Sequence, residues 1–201
     1  MAEKKEPLRI TLPAARLAFP NLFTVVPAGK LNAGYYTASL YVPKRDAKTS
    51  LAPVSALIKR VVAETWGAKV PVNLHLPLLD GAKTTDDNAA DYIVIRVKTL
   101  YMPTCYRKVG GNYTPSVDPQ EFYAGCWVAA SVSPYAYVAG PKNGNNNGVG
   151  FGVNSILFVR DDEPFVAREK AEEVFKDVVV DESAIVTDKD PEAADIPGLE
   201  F

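Results

Sequence analysis

The stretch 35–42, Tyr-Tyr-Thr-Ala-Ser-Leu-Tyr-Val, decides how the fold is read. Successive side chains of a strand point to opposite sides. Tyr36, Ala38, Leu40 and Val42 then make a core face, and Tyr35, Thr37, Ser39 and Tyr41 make a polar, aromatic face turned to water or a ligand. Three later segments carry β patterns. Residues 91–102 bury Ile93, Ile95 and Val97 and leave Tyr92, Arg96 and Lys98 on the opposite face. Residues 122–133 set Cys126, Val128, Ala130 and Val132 against Tyr123, Trp127, Ala129 and Ser131. Residues 149–160 alternate less cleanly, as expected of a strand buried in part on both faces.

One principal helix is predicted from Ser50 to Trp66. Thr49 or Ser50 would cap it, Pro53 fits its first turn, and Gly67 suits a left-handed exit. Leu51, Val54, Leu57, Ile58 and Val61 form its apolar stripe. Polar loops are expected at 106–120 and 140–148, the second too rich in Gly and Asn to pack. The run Gly148-Val-Gly-Phe-Gly152 lacks the Gly-Lys-Ser/Thr of a phosphate loop and reads as a strand start where backbones come close. Short strands with one inserted helix predict a mainly β chain folded as a small, partly open barrel.

The 201 residues suffice for one domain and a tail. Hydrophobic residues are 47% and charged residues 23%, the balance of a soluble globular protein rather than a disordered one. The net charge of -2 conceals a division. Residues 1–160 hold 18 Lys/Arg and 10 Asp/Glu, or +8, while 161–201 hold 4 and 14, or -10. A basic body with an acidic end points to a nucleic-acid partner. A short helix is expected near 164–177 and a disordered tail beyond, giving a domain over 1–177 and a tail over 178–201. No apolar run approaches the roughly 20 residues of a membrane span, and the charged start (Glu3, Lys4, Lys5, Glu6) lacks the apolar segment of a secretory signal. The expectation is a cytoplasmic protein without membrane partners, in which Cys105 and Cys126 form neither a disulfide framework nor a metal cluster.

Enzyme chemistry is poorly supplied. The single histidine, His75, sits between Leu74 and Leu76 and reads as structural, and one His with two distant Cys cannot build a zinc site. Asp86-Asp87 and Asp161-Asp162 lack a further carboxylate at useful spacing. No catalysis, metal or cofactor is expected. Binding chemistry is better represented, because many of the 10 tyrosines stand beside cations. Tyr35, Tyr36 and Tyr41 accompany Lys30, Lys44 and Arg45; Tyr92 accompanies Arg96 and Lys98; Tyr101 and Tyr106 accompany Arg107 and Lys108; and Tyr135 and Tyr137 accompany Lys142. Single strands are held by bases stacked on aromatic rings and by cations along the phosphates.

Several blocks resemble a family of phage and prophage single-stranded DNA-binding proteins, formerly a domain of unknown function. They are Arg16-Leu-Ala-Phe-Pro-Asn-Leu-Phe23, Tyr35 to Lys44, Pro77-Leu-Leu-Asp-Gly81, Phe122-Tyr-Ala-Gly-Cys-Trp-Val128 and Gly148 to Asn154. The resemblance implies an OB fold, a five-stranded Greek-key barrel with extensions, and sequence-independent single-strand binding in phage replication, recombination or repair. The ending Asp195-Ile196-Pro197-Gly198-Leu199-Glu200-Phe201 resembles the acidic tips of bacterial and phage single-strand binding proteins, which dock replication partners. It departs from the bacterial form in placing Gly198, Leu199 and Glu200 before the terminal Phe. A terminal aromatic can fill a partner's pocket while its carboxylate and the nearby acids meet basic residues.

The reading is a single-stranded DNA-binding protein. Lys30, Lys44, Arg45, Arg96, Lys98, Arg107 and Lys108 are expected on phosphates, and Tyr35, Tyr41, Tyr92 and Trp127 on bases. Asp195, Ile196, Pro197, Glu200 and Phe201 are expected on replication or recombination proteins. Phosphate contacts are common to single strands and duplex, so the sequence leaves that preference open, and likewise a homodimer. The alternative is a non-enzymatic phage structural or assembly protein with a mainly β fold.

Overall fold

The computed structural model describes residues 8–140 and 145–166. Ten strands and two α-helices lie among them, in the order β1 (Ile10–Thr11), β2 (Ala15–Asn21), β3 (Tyr36–Pro43), α1 (Lys44–Ser50), α2 (Ala52–Trp66), β4 (Leu74–His75), β5 (Leu78–Asp80), β6 (Tyr92–Thr99), β7 (Thr104–Val109), β8 (Asn112–Pro115), β9 (Trp127–Tyr137) and β10 (Asn147–Arg160). Five of these strands close on themselves. β2 pairs with β3, β3 with β6, β6 with β10, β10 with β9, and β9 returns to β2. All the pairs are antiparallel except β6 with β10. Numbered within the barrel, the order is first, second, third, fifth, fourth, the Greek-key closure of an OB fold. The predicted barrel is therefore the observed one.

The alternation that predicted the strands also fills the interior. Leu17, Leu40, Ile95, Val128 and Ile156, one from each barrel strand, are wholly buried, with Ala38, Val42, Val97, Ala130, Val132, Phe151 and Val153 around them. Val54, Ile58 and Val61 of α2 join the same core. This burial is the main stabilising term of the fold.

The structure corrects several details of the sequence reading. The helical region begins earlier and in two pieces, because Pro43 starts α1 and Leu51 breaks the run before α2. The Ser50 hydroxyl therefore caps nothing and instead donates back to the Asp46 carbonyl. The polar loop predicted at 106–120 is largely the hairpin β7–β8, turned by Gly110 and Gly111 at φ +55 and +90. Positive φ at both central residues marks a two-residue hairpin turn, so the signal was present in the Gly-Gly pair. Residues 122–126 are not a strand, although Phe122 and Cys126 are buried. Loop residues 141–144, the helix predicted near 164–177 from Ala167 onward, the boundary at 177 and the tail lie outside the described residues.

β2 carries an irregularity. Ala18 pairs with Ser39 and Asn21 with Thr37, so Phe19 and Pro20 together oppose only Ala38. This is a β-bulge, and Phe19 takes φ +48 within it. Left-handed backbone at the first bulge position ordinarily belongs to glycine, and a bulky residue held there costs on the order of 1–3 kcal/mol. The Asn21 amide donates to the Phe19 carbonyl and to the Thr37 hydroxyl, which pins the bulge to β3.

Candidate nucleic-acid interface

The outer surface of β2, β3 and β6 can be followed row by row. One row runs Asn21, Thr37, Lys98; the next runs Ala18, Ser39, Arg96; the third runs Arg16, Tyr41, Val94. β3 and β6 are the second and third strands of the barrel, the face on which OB folds hold oligonucleotides.

The first row is open, and so is the second at Ser39 and Arg96, while Ala18 at its β2 end is buried. Arg96 is exposed and Lys98 half-exposed, and neither makes an ion pair among the described residues. The Lys98 ammonium stands 5.1 Å from the centre of the Tyr35 ring. Beyond β6 the surface continues over outward-facing glycines of β10, across which the tyrosines of β9 lie. A Cβ on Gly150 would come within 2.7 Å of the Tyr135 ring, and one on Gly148 within 2.2 Å of the Tyr137 hydroxyl. Only glycine leaves room for these rings; the close backbone approach expected of that run is found at Gly148, where a Cβ would lie 2.7 Å from the His75 carbonyl. Burial, with Tyr137 and Tyr35 nearby, pushes the Tyr135 phenol up to about 12. Tyr101 is 82% exposed on the turn that leaves β6, and Phe19 is 62% exposed on the bulge. Lys30 is exposed in the loop between β2 and β3. Uncompensated cations beside aromatic faces are what a single strand requires.

The third row is closed. Tyr41 is only 2% exposed, which corrects its assignment to a free face. Leu79 of β5, Ala89, Tyr92 and Phe165 pack over Tyr41, Val94 and Ala18, and the Tyr41 hydroxyl donates to Asp86. Alternation placed Tyr41 outside the barrel correctly, but a second apolar layer covers the barrel there. Tyr92 is half-buried in this layer, its ring 5.8 Å from that of Tyr41. Burial and the Asp86 contact both raise the Tyr41 pKa.

The remaining predicted contacts are mostly engaged by protein groups. The Lys44 ammonium lies 2.6 Å from Asp80 and donates to the Ala90 carbonyl. Arg45 pairs with its neighbour Asp46, and Arg107 with Glu121. Lys108 stands 5.9 Å from the Tyr113 ring on the hairpin. The nearby cavity of about 480 Å³ is lined by Arg107 and Lys108 but also by Asp118, Glu121 and Asp161, a mixture that does not favour phosphate. The Trp127 indole donates to Asp162 beneath the Arg160 guanidinium, 4.5 Å from its ring. Residues 161–165 thus form a strap. Arg16 donates to the Glu163 carbonyl and stacks at 4.4 Å on Phe165, and the Tyr123 hydroxyl donates to the Asp162 carbonyl. Donation by Trp127, then by the Glu163 backbone, holds the Asp162 carboxyl below the ordinary range, with Arg16 and Arg160 adding to the effect.

Of the eleven predicted DNA contacts, the open rows bring together Tyr35, Arg96 and Lys98, and Lys30 is exposed in the loop between β2 and β3. Tyr101 and Tyr135 were noted in the sequence among aromatics beside cations but were not assigned to bases, and Phe19 was noted only within its motif block. Phe19 lies in a motif block whose bulge has no local signal, and Tyr101 follows the end of the alternation. The five tail residues lie outside the described residues.

Comparison with known proteins bears on the family and the fold. Residues 8–185 match the family model described as Enterobacter phage Enc34, ssDNA-binding protein. Protein p50 of Acyrthosiphon pisum secondary endosymbiont phage 1 is 28% identical over 169 residues, covering 79% of this chain and 86% of p50. The single-stranded DNA-binding protein of bacteriophage Enc34, solved in complex with ssDNA, superimposes with a TM-score of 0.66 at 19% identity, covering 79% of this chain and 89% of that one. gp2.5, a single-stranded DNA-binding protein encoded by bacteriophage T7, gives 0.57 at 11% identity, over 90% and 100%. At these identities the structural likeness is one of fold. Because the family model spans most of the sequence, the chain belongs to the family of the Enterobacter phage Enc34 ssDNA-binding protein.

Proposed function

We propose that the protein binds single-stranded DNA without regard to sequence, on the open rows of the barrel face. Arg96, Lys98 and Lys30 follow the phosphates, while Tyr35, Tyr101 and Tyr135 take bases. The observation that carries this reading is that Arg96 and Lys98 of barrel strand three, without ion pairs among the described residues, stand beside the half-buried Tyr35 ring ahead of strand two and the exposed Tyr101 ring after strand three. Membership of the family supports it. The closed row, with Tyr41, Tyr92 and Trp127, serves the fold.

The role extends to phage DNA replication, recombination or repair in the host cytoplasm, with no catalytic step of its own. The acidic tail recruits partner proteins through Asp195, Ile196, Pro197, Glu200 and Phe201, and its charge competes with DNA for the open rows. Deleting residues 181–201 then raises affinity for DNA and abolishes partner capture.

A gel-shift comparison of oligo-dT with duplex of equal length tests the proposal. Strong single-strand binding that weakens with salt is expected, because each neutralised phosphate of a single strand contributes a slope of about 0.7. No binding at low salt would refute it.

A further inference from the structure

Gly150 lies inside β10, between the core residues Val149 and Phe151. Glycine within a strand costs about 0.5–1 kcal/mol relative to alanine, and it is ordinarily kept for a positive φ or for the close approach of another group. Gly150 takes no positive φ, so its backbone would accept any residue. The close approach is what remains. Tyr135 is its partner across the β9–β10 ladder, and the Tyr135 ring fills the space that a side chain on Gly150 would occupy. A Cβ there would lie 2.7 Å from both Cζ and the hydroxyl oxygen of Tyr135, and 3.2 Å from Cε1.

The ring is on the outer face, because Val149 and Phe151 point into the barrel and Gly150 between them points out. Phe151 pairs with Val97 of β6, itself a core residue, so Arg96 and Lys98 on either side of it share that outer face. The Tyr135 phenol is near enough to Tyr35 to interact with it electrostatically, and the Tyr35 ring stands 5.1 Å from the Lys98 ammonium. The neighbouring glycines are not equivalent to Gly150. A Cβ on Gly152 meets only the Ser133 and Lys98 carbonyls, at 3.6 and 3.8 Å, which is ordinary contact. One on Gly148 would lie 2.7 Å from the His75 carbonyl and so press on backbone. At Gly150 the three nearest atoms all belong to the end of a tyrosine side chain.

We propose that Gly150 is a positioning residue of the single-strand site: by carrying no side chain it lets the Tyr135 ring lie across β10, where the ring meets a nucleobase beside Tyr35 and Lys98. The inference rests on the single-strand binding reading, which takes Tyr135 as a base contact. It goes beyond that reading by giving a role in binding to a residue that acts only through another. A single methyl at position 150 displaces the ring and leaves the barrel standing, because the atoms it strikes can swing away about the side-chain bonds of Tyr135. A binding group must be held in its productive geometry by its neighbours, so a displaced ring loses most of its worth.

The test compares wild type, Gly150→Ala, Gly152→Ala, Tyr135→Ala and the double variant Gly150→Ala with Tyr135→Ala, by thermal melting and by titration with fluorescent oligo-dT. Tyr135→Ala is expected to bind about tenfold more weakly, the loss of one stacked base. Gly150→Ala is expected to fold and to bind about fivefold more weakly, a large part of that same loss. Gly152→Ala adds the same methyl two residues along, with no ring above it, and is expected to bind as wild type does. In the double variant the methyl at 150 has room, so binding is expected to equal that of Tyr135→Ala. Such non-additivity marks two residues acting as one. Wild-type affinity in Gly150→Ala, an equal loss in Gly152→Ala, or a loss in the double variant beyond that of Tyr135→Ala overturns the inference while leaving the binding reading intact. Loss of the folded state in Gly150→Ala overturns it as well, since the ring would then be fixed by the fold. Wild-type affinity in Tyr135→Ala overturns it and removes Tyr135 from the site. Failure of the wild type itself to bind oligo-dT defeats the binding reading, and the inference with it.

Discussion

The same three strands present two unlike surfaces. Along β2, β3 and β6, the rows are open at Lys98 and Arg96, and neither cation makes an ion pair among the described residues. One row further, at Tyr41, an apolar layer and the strap at 161–165 cover the barrel, and the aromatic and basic residues there bond to protein. Composition does not separate the two regions, since each contains Tyr and Arg. The difference lies in what each group already touches. A cation or ring whose interactions are satisfied internally gains little by meeting DNA, whereas a free one gains fully.

The largest effect should come from reversing charge on the open rows. Arg96→Glu with Lys98→Glu is expected to weaken oligo-dT binding by about a hundredfold at low salt and to flatten the salt dependence by about 1.4, two contacts' worth, in a titration series. Lys44→Gln, on the closed side, should leave both unchanged. Next in size are the displayed rings. Tyr35→Ala or Tyr101→Ala should each cost about 1–3 kcal/mol of binding, measured by equilibrium titration, with melting little altered. The reverse pattern is expected at the closed row. Tyr41→Phe removes the bond to Asp86 and should lower stability by about 1 kcal/mol in urea unfolding while affinity stays the same.

The smallest expected effect is a titration of the strap. The Asp162 carboxyl is held below its ordinary range, so its contribution is complete above the unfolded carboxylate pKa of about 3.9. That contribution is lost as pH falls through the lower folded value. Trp127 emission should therefore change only at strongly acidic pH, and Asp162→Asn should show the altered emission already at neutral pH. A change centred at or above the ordinary carboxylate value would show that the strap is not held by this contact.

Much of the barrel was legible because its strands are buried on one face and displayed on the other. The inward residues of 36–42, 93–97 and 128–132 could be read from alternation alone, and Arg96, Lys98 and Tyr35 followed as the outward set. Three things were not legible. Alternation reports which side of a sheet a residue takes but not whether something covers that side, so Tyr41 was read as free. Charge counts cannot say which cations already have partners, so Lys44 and Arg107 stood beside Arg96 as equals. The bulge at Phe19 arises from a register shift between two strands distant in sequence, and a single segment contains no trace of it.

The most direct test of the account is backbone hydrogen exchange of the whole chain with and without saturating oligo-dT. Added protection is expected over 19–21, 35–39 and 96–101, with exchange unchanged around Tyr41, Tyr92 and Trp127. Protection concentrated at Tyr41, Tyr92 and Trp127, with the open rows unaffected, would contradict it.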